Sequence, residues 1–293
     1  MEFQELSYRK HAADFDRDLT DPQRLAIGRT WFDSGTADYW RHQRLYEAVD
    51  AFRGEPDATW LTIGDGRYGL DAIRIRAKGV ASVLPTDISS ALLAKAKEDG
   101  RIDRYAVENA EALTFADGSF DYVFCKESYH HFPRPAIALY EMLRVARKAV
   151  ILIEPNDLSA SPLVRARQWL RGLFGGPHFD AENYEESGNY AYSISRREME
   201  KVALGVDLPM VATKDMPDCY VAGCEFQRAS WRSPVYAYIR LRCAMQDVLA
   251  TLALHYRPLL MAVIFKQTPT DAALGVLSAG GWRISKLPRN PYI

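Results

Sequence analysis

The sequence has few cysteines, and its first residues show no secretory signal. The chain has four cysteines among 293 residues, with no Cys-x-x-Cys pair and no histidine at the spacing of a zinc site. We therefore expect no metal centre and predict reduced thiols in a cytoplasmic protein. The first 20 residues are charged and lack the apolar core of a secretory signal peptide. The cysteines are Cys125, Cys219, Cys224 and Cys243.

The chain also lacks a long uncharged apolar run and an excess of one charge. The most apolar segment, Val235 to Phe265, contains three arginines, an aspartate and a histidine, so we do not expect it to cross a bilayer. Lys and Arg total 37 against 38 for Asp and Glu, so no overall basic field attracts nucleic acid or an anionic membrane. We predict neither as a partner. The 48% hydrophobic content is enough for a sizeable core.

A glycine loop follows the first predicted strand. Residues 60–69 read W-L-T-I-G-D-G-R-Y-G, with an apolar strand at its start and Gly64, Gly66 and Gly69 just before a helix predicted over 70–78. Glycine lets the backbone approach a ligand closely, and the N-terminus of the following helix favours negative groups. Taken alone, this spacing is also compatible with a purely structural turn.

A second strand, predicted over Val80 to Leu84, leads to Asp87. Nucleotide-binding folds place a ribose-binding carboxylate roughly 20 residues after the glycine loop, and Asp87 stands there. The alternative is that Asp87 caps the next helix, predicted over 90–98. We favour ligand binding because of the position of Asp87 relative to the loop.

Strands and helices alternate from residue 59 to residue 155, as in βαβ units around a parallel sheet. The predicted organisation is a helical N-terminal cap (1–56), a ligand-binding core (57–155), a lid or substrate insertion (156–194), a continuation of the core (195–223), a helical insertion (224–257), and a final core strand with a C-terminal extension (258–293).

Residues 59–155 resemble the class I S-adenosylmethionine-dependent methyltransferases of the small-molecule, type 11-like group. The resemblance is carried by I-G-D-G-R-Y-G, T-D-I-S, N-A-E-A-L-T-F-A-D-G-S-F-D-Y-V-F and H-H-F-P-R-P-A-I-A-L-Y-E-M-L-R-V, in that order along the chain. It implies an α/β fold with a Rossmann-like seven-stranded sheet, helices on both faces, a helical cap and inserted lid segments. The strand over 259–266 would lie between two earlier strands as the antiparallel member.

The resemblance further implies a cofactor site for S-adenosylmethionine. The glycine loop would hold the methionine part, Asp87 the ribose, Ile88 the adenine ring, and Asn109 the adenine amino group. Apart from the resemblance, Trp40 or Arg41 of the cap could cover the ligand, or their helix could only pack on the sheet. The expected cofactor-binding residues are Gly64, Asp65, Gly66, Arg67, Asp87, Ile88, Asn109, Ala110, Lys126, Trp40 and Arg41.

Catalytic and substrate residues are expected beyond the fourth strand. His130 and His131 could act as a general base, or could start the next helix and pack on the sheet. The insertion over 156–194 could bind a polar acceptor through its histidine and tyrosines, or be a solvated loop with aromatics packed on the core. The expected substrate-binding residues are Glu127, Tyr129, His178, Tyr184, Tyr190 and Tyr192.

Two differences from the resembled family keep alternatives open. The family more often has an acidic residue where Thr62 stands, and its glycine loop is usually one residue tighter, so the loop also resembles a dinucleotide fingerprint. The predicted function is methyl transfer to an O, N or C atom of a small molecule. The alternatives are an NAD(P)-dependent oxidoreductase, a non-catalytic cofactor-binding partner and an RNA methyltransferase, the last disfavoured by the neutral charge.

Overall fold

The computed structural model describes residues 3–174, 183–185 and 189–293. Its centre is a sheet in which eight strands of the described residues follow the order β3-β2-β1-β4-β5-β7-β6-β8. The strands are β1 (Thr59–Ile63), β2 (Ser82–Asp87), β3 (Ala106–Val107), β4 (Phe120–Lys126), β5 (Ala146–Pro155), β6 (Met210–Met216), β7 (Leu259–Phe265) and β8 (Arg283–Lys286).

The first five strands are parallel, and their order reverses at β1. The chain runs outward from β1 to β2 and β3, then returns to place β4 on the other side of β1. The carboxyl ends of β1 and β4 therefore flank a topological switch point, the crevice in which open α/β sheets bind their ligands. The glycine loop and Asp87 both lie at this edge, because they end β1 and β2.

The strand β7 is antiparallel and lies between β5 and β6. All seven of its residues are buried, as expected for a continuous apolar strand covered on both faces. This confirms the predicted insertion of the last long strand. The expected count of seven strands is one too low, since β8 pairs with β6 along Met210–Thr213 and covers what would otherwise be an open edge.

Helices cover both faces of the sheet. They are α1 (Phe3–Thr20), α2 (Pro22–Thr30), α3 (Ala37–Gln43), α4 (Leu70–Ala77), α5 (Ala91–Glu98), α6 (Pro135–Val145), α7 (Pro162–Leu173), α8 (Arg196–Gly205), α9 (Pro234–Thr251) and α10 (Asp271–Ala279), with a 3-10 helix over Arg44–Phe52.

The core has two main parts because strand residues alternate between the faces. Trp60 and Tyr122 pack under the 3-10 helix on one face, with Phe52 against both rings. Leu61 and Val123 pack towards α6 and α8 on the other face. No described helix is long and apolar enough to span a membrane.

Candidate active site

The glycine loop is held against the segment that follows β4. Gly64 has a φ of +70°, and the Ser128 hydroxyl donates a hydrogen bond of 2.8 Å to its carbonyl oxygen. A Cβ at position 64 would overlap the Ser128 side chain. Gly64 is therefore required both for its backbone conformation and for the close approach of the two loops.

Asp65 caps helix α4 from inside the loop. Its carboxylate accepts hydrogen bonds from the backbone N–H groups of Asp71 and Ala72 and from the Thr62 hydroxyl, at 2.8–3.0 Å. Burial and the neighbouring Asp71 raise the pKa of Asp65 well above its ordinary value. Thr62, which stands where the resembled family more often has an acid, thus binds an acid supplied by the loop.

Asp87 lies at the end of β2 and faces the glycine loop. The side chain is buried, and its carboxylate accepts a 2.8 Å hydrogen bond from the Ser89 N–H, with the N–H groups of Gly66 and Ile88 also directed at it. Burial raises the pKa of Asp87 to about 6, and the N–H donors limit that rise. A carboxylate held in this way can accept the two hydroxyls of a ribose.

The loop after β3 lies beside Asp87. The N–H of Glu108 donates to the Asp87 carbonyl oxygen at 2.9 Å, while Ile88 is half-buried and Ala110 is buried. The side-chain oxygen of Asn109 accepts from the N–H of Glu111. The residues expected for the ribose and adenine therefore lie together at one edge of the sheet, and their binding roles stay a prediction.

A cluster of charged side chains lies at the end of β4, on the side of the glycine loop opposite to Asp87. The ammonium group of Lys126 lies 2.9 Å from Glu127 and 3.6 Å from Asp71, and the Tyr46 hydroxyl donates to Asp71. Burial lowers the pKa of Lys126, but the two carboxylates outweigh this effect and the net pKa is raised. His42 approaches Glu127 at 3.4 Å. Sequence reasoning missed Asp71, Tyr46 and His42.

The cap helix α3 is joined to the second half of the chain. Arg41 is buried and binds Asp38 at 2.8 Å and Asp218 at 2.5–3.0 Å. Trp40 packs edge-on against Tyr236 of α9. The proposed covering of a ligand by Trp40 or Arg41 stays a prediction, although both side chains have protein partners here.

Helix α1, part of the predicted N-terminal cap, contacts the loops around the site, whereas the prediction of a covering residue named only Trp40 and Arg41 of α3. The Tyr8 side chain lies among Asn109, Glu111 and Arg134, and burial together with Glu111 raises its pKa. The His11 ring packs 5.6 Å from that of His131. Arg67, exposed in the glycine loop, lies over the Trp31 ring at 5.2 Å. The N-terminal helices thus contact both the adenine-side loop and the histidine pair.

His130 is held by a buried carboxylate. Its Nδ1 lies 2.6 Å from Glu154, a fully buried residue at the end of β5 that also accepts the N–H groups of Ser128 and Tyr129. Burial alone would lower the pKa of His130, but Glu154 outweighs it and the net pKa is raised. This contact leaves Nε2 as the nitrogen available to exchange a proton with a substrate.

His131 is paired with Glu185 from the insertion. Its Nδ1 lies 2.7 Å from the carboxylate, and this pairing lowers the pKa of Glu185 to about 2 in spite of partial burial, which would raise it. His130, His131 and Glu185 each offer a ligand atom within 4.8 Å of the others, a ligand set suited to zinc. In the structure the two Nδ1 atoms each lie against a carboxylate, that of Glu154 or of Glu185, and the expected absence of a metal centre stays a prediction.

The tyrosines predicted to bind the acceptor fall into two groups. Tyr129 is buried and packs edge-on against Tyr192, whose hydroxyl donates to Glu198 at 2.6 Å. Tyr184 and Tyr190 pack edge-on against each other. His178 lies outside the described residues. The acceptor role of these side chains stays a prediction.

Comparison with known proteins agrees with this architecture. Residues 61–153 match a family model described as a methyltransferase domain. The 2-methyl-6-phytyl-1,4-hydroquinone methyltransferase of Synechocystis is 32% identical over 149 residues, which cover 45% of this chain and 46% of that protein. The chain therefore spans less than half of the length of this curated relative.

Solved structures are similar to this chain at low sequence identity. A candidate sarcosine dimethylglycine methyltransferase from Galdieria sulphuraria has a TM-score of 0.50 at 14% identity, over 78% of this chain and 86% of that one. The magnesium protoporphyrin IX methyltransferase of Synechocystis, solved with bound SAH, has a TM-score of 0.48 at 15% identity, over 86% and 99% of the two chains.

The strand order, the loop at the switch point and the family match define a class I S-adenosylmethionine-dependent methyltransferase fold. The match to the methyltransferase domain model lies within this fold, over residues 61–153.

Proposed function

We propose that this chain transfers the methyl group of S-adenosylmethionine to a small-molecule acceptor. The observation that carries the proposal is the buried Asp87 carboxylate facing the glycine loop at the switch point. The residues present fit the cofactor, since a Cβ at Gly64 would overlap Ser128, which keeps the loop backbone bare there, and the buried Asp87 can accept ribose hydroxyls. When bound, S-adenosylmethionine supplies a methyl group already activated by its positive sulfur.

Calorimetric titration with S-adenosylhomocysteine and, separately, with NAD tests this proposal. We expect the homocysteine compound to bind and NAD not to bind, and we expect Asp87→Ala to weaken binding by about tenfold or more, roughly 1.4 kcal/mol. Asp103→Ala is the matched control, because Asp103 is an exposed carboxylate paired with Arg76 and should leave binding unchanged. Binding of NAD alone, or of neither compound, would contradict the assignment of S-adenosylmethionine as the cofactor.

We also propose that the acceptor carries a hydroxyl whose proton is taken by His130. Glu154 holds Nδ1, so Nε2 can receive the proton while the acceptor atom bonds to the methyl carbon and the bond from that carbon to sulfur breaks. The curated relative is named for a hydroquinone, in which loss of a hydroxyl proton makes both oxygen and ring carbon more nucleophilic. A hydroquinone-like phenol is therefore the first acceptor class to screen.

Substitutions of His130 and Glu154 distinguish an effect on the proton-transfer step from an effect on cofactor binding. We expect His130→Gln to lower kcat by about 100-fold or more without changing the affinity for S-adenosylhomocysteine. We expect Glu154→Gln to lower the pKa of His130 and so move the acidic limb of the pH profile of kcat/KM to lower pH. His255→Gln is the control, because His255 lies in the connection between α9 and β7 and its Nδ1 contacts Ser161 at 2.7 Å. An unchanged kcat in His130→Gln would exclude this base.

A further inference from the structure

The apolar side of α7 is turned away from the protein. Only Val164, Gln168 and Arg171 of this helix are half-buried, and they recur at helical spacing on one side. The large apolar residues point elsewhere, and Trp169 is 66% exposed while Phe174, just after the helix, is 87% exposed. An amphipathic helix that packs on a core shows the reverse arrangement.

Arginines border this apolar side. Residues 158–174 contain Arg165, Arg167 and Arg171 and no acidic residue, in a chain whose net charge is −1. At about 100° per residue, Arg165 and Arg167 fall on the two opposite borders of the face formed by Leu163, Ala166, Trp169, Leu170 and Leu173. Both arginines are exposed. Arginine beside Trp, Phe and Leu is the composition of helices that lie in a membrane interface.

A second exposed apolar stripe continues from α7 onto α9. Leu241, Met245, Val248 and Leu252 recur at intervals of four, three and four residues, and all four are exposed. The start of α7 lies beside the segment that follows α9, where the N–H of Leu163 donates to the carbonyl oxygen of Leu254 at 3.1 Å. Leu163 and Leu254 are themselves exposed, so exposed apolar residues of α7 and of the segment after α9 are adjacent there.

We propose that α7 and the C-terminal half of α9 bind the surface of an anionic lipid bilayer. The 12 residues of α7 and its arginines exclude a spanning role, but its apolar face can enter the boundary between headgroups and acyl chains while the arginines bind lipid phosphate. A second copy of the chain fits less well, because a two-fold contact through α7 would bring arginines together with no acidic residue of residues 158–174 to pair with them. The proposal does not depend on the methyltransferase activity.

Flotation of the full chain with lipid vesicles tests the proposal. We expect binding to vesicles of phosphatidylcholine mixed with phosphatidylglycerol and much weaker binding to phosphatidylcholine alone. Trp169→Glu combined with Leu173→Glu should abolish binding, because it places negative charge in the face that would enter the bilayer. Arg165→Gln and Arg167→Gln should each weaken binding to the anionic vesicles by roughly fivefold, since each basic residue near the surface contributes about that factor.

Tyr140→Glu is the matched control, since Tyr140 is an exposed aromatic residue of α6 outside this surface and should leave vesicle binding unchanged. Binding of S-adenosylhomocysteine and circular dichroism show that each variant is folded. Three outcomes would overturn the proposal: no binding to either kind of vesicle, equal binding by the double variant and the wild type, or a dimer in solution that the double variant dissociates.

Discussion

The Asp87 side chain is buried, yet its proposed role requires a charged carboxylate. Its carboxylate must be charged to bind hydroxyl groups, yet burial raises its pKa from 3.8 to about 6. The folded protein therefore binds this proton more tightly than the unfolded chain, and the free energy of unfolding falls as the pH rises from about 4 to about 6. The upper limit of this cost at neutral pH is on the order of 3 kcal/mol.

We expect Asp87→Asn to stabilise the ligand-free protein at pH 7 and to weaken binding of S-adenosylhomocysteine. The neutral amide removes the buried charge, and each 1 kcal/mol recovered should raise the Tm by about 2–4 °C. Thermal unfolding at pH 7 and at pH 4 checks both the sign and the cause, because the gain should shrink at the lower pH. A Tm that falls at pH 7 would show that the carboxylate is structural.

Some residues of this site were predictable from the sequence and others were not. Gly64 and Asp87 were predictable because chain position relative to strand ends fixes their place in an open α/β sheet. Asp71 and Tyr46 were not, since an aspartate in the first turn of a helix and a tyrosine in an apolar stretch have common structural uses. Their meeting with Lys126 depends on how the 3-10 helix packs on the sheet, which no local pattern encodes.

At the scale of elements, Arg41 joins the cap helix α3 to the segment after β6. Replacing Arg41 by Met would leave the buried Asp38 and the half-buried Asp218 without this partner. His42, 3.5 Å from Asp38, and Arg44, 3.4 Å from Asp218, would compensate in part. We expect Arg41→Met to lower the free energy of unfolding by about 3 kcal/mol or more.

Urea unfolding measures this change, with Arg53→Met as its control. Arg53 makes an ion pair of 2.8 Å with Asp50, but its side chain is 56% exposed, so its loss should cost less than about 1 kcal/mol. Equal effects of the two substitutions would mean that the Arg41 contacts do not anchor the cap. The sequence predicted the cap as a helical unit, while the ion pairs that fix it come from residues 177 positions apart.

Over the whole molecule, α1 connects the proposed cofactor site to the N-terminus. Tyr8 and His11 contact the loops after β3 and β4, so a ligand held by those loops should restrict α1 as well. We expect S-adenosylhomocysteine to slow amide hydrogen exchange in α1 and not in α10, which packs beside the 3-10 helix. Uniform slowing in both helices would indicate only a general gain in stability.

The net charge of the whole chain does not describe the local charge of helix α7. The near balance of 37 basic and 38 acidic residues led us to expect no membrane partner, whereas the proposed membrane surface rests on where the charges of α7 lie. The arginines of α7 become informative only when the structure shows that the apolar side of that helix faces outward. The overall sheet was predictable from alternating strands and helices, whereas the four residues of β8 carry too little pattern to distinguish a short strand from a tail on the surface.

The central place of β7 in the sheet has a consequence for synthesis of the protein. Residues 259–265 join β5 to β6, yet they leave the ribosome after most of the chain. Until then, the nascent protein presents β5 and β6 as unpaired strand edges, the surfaces from which aggregation starts. A message truncated shortly before codon 259 would therefore yield an insoluble product, although it encodes every residue of the proposed cofactor site.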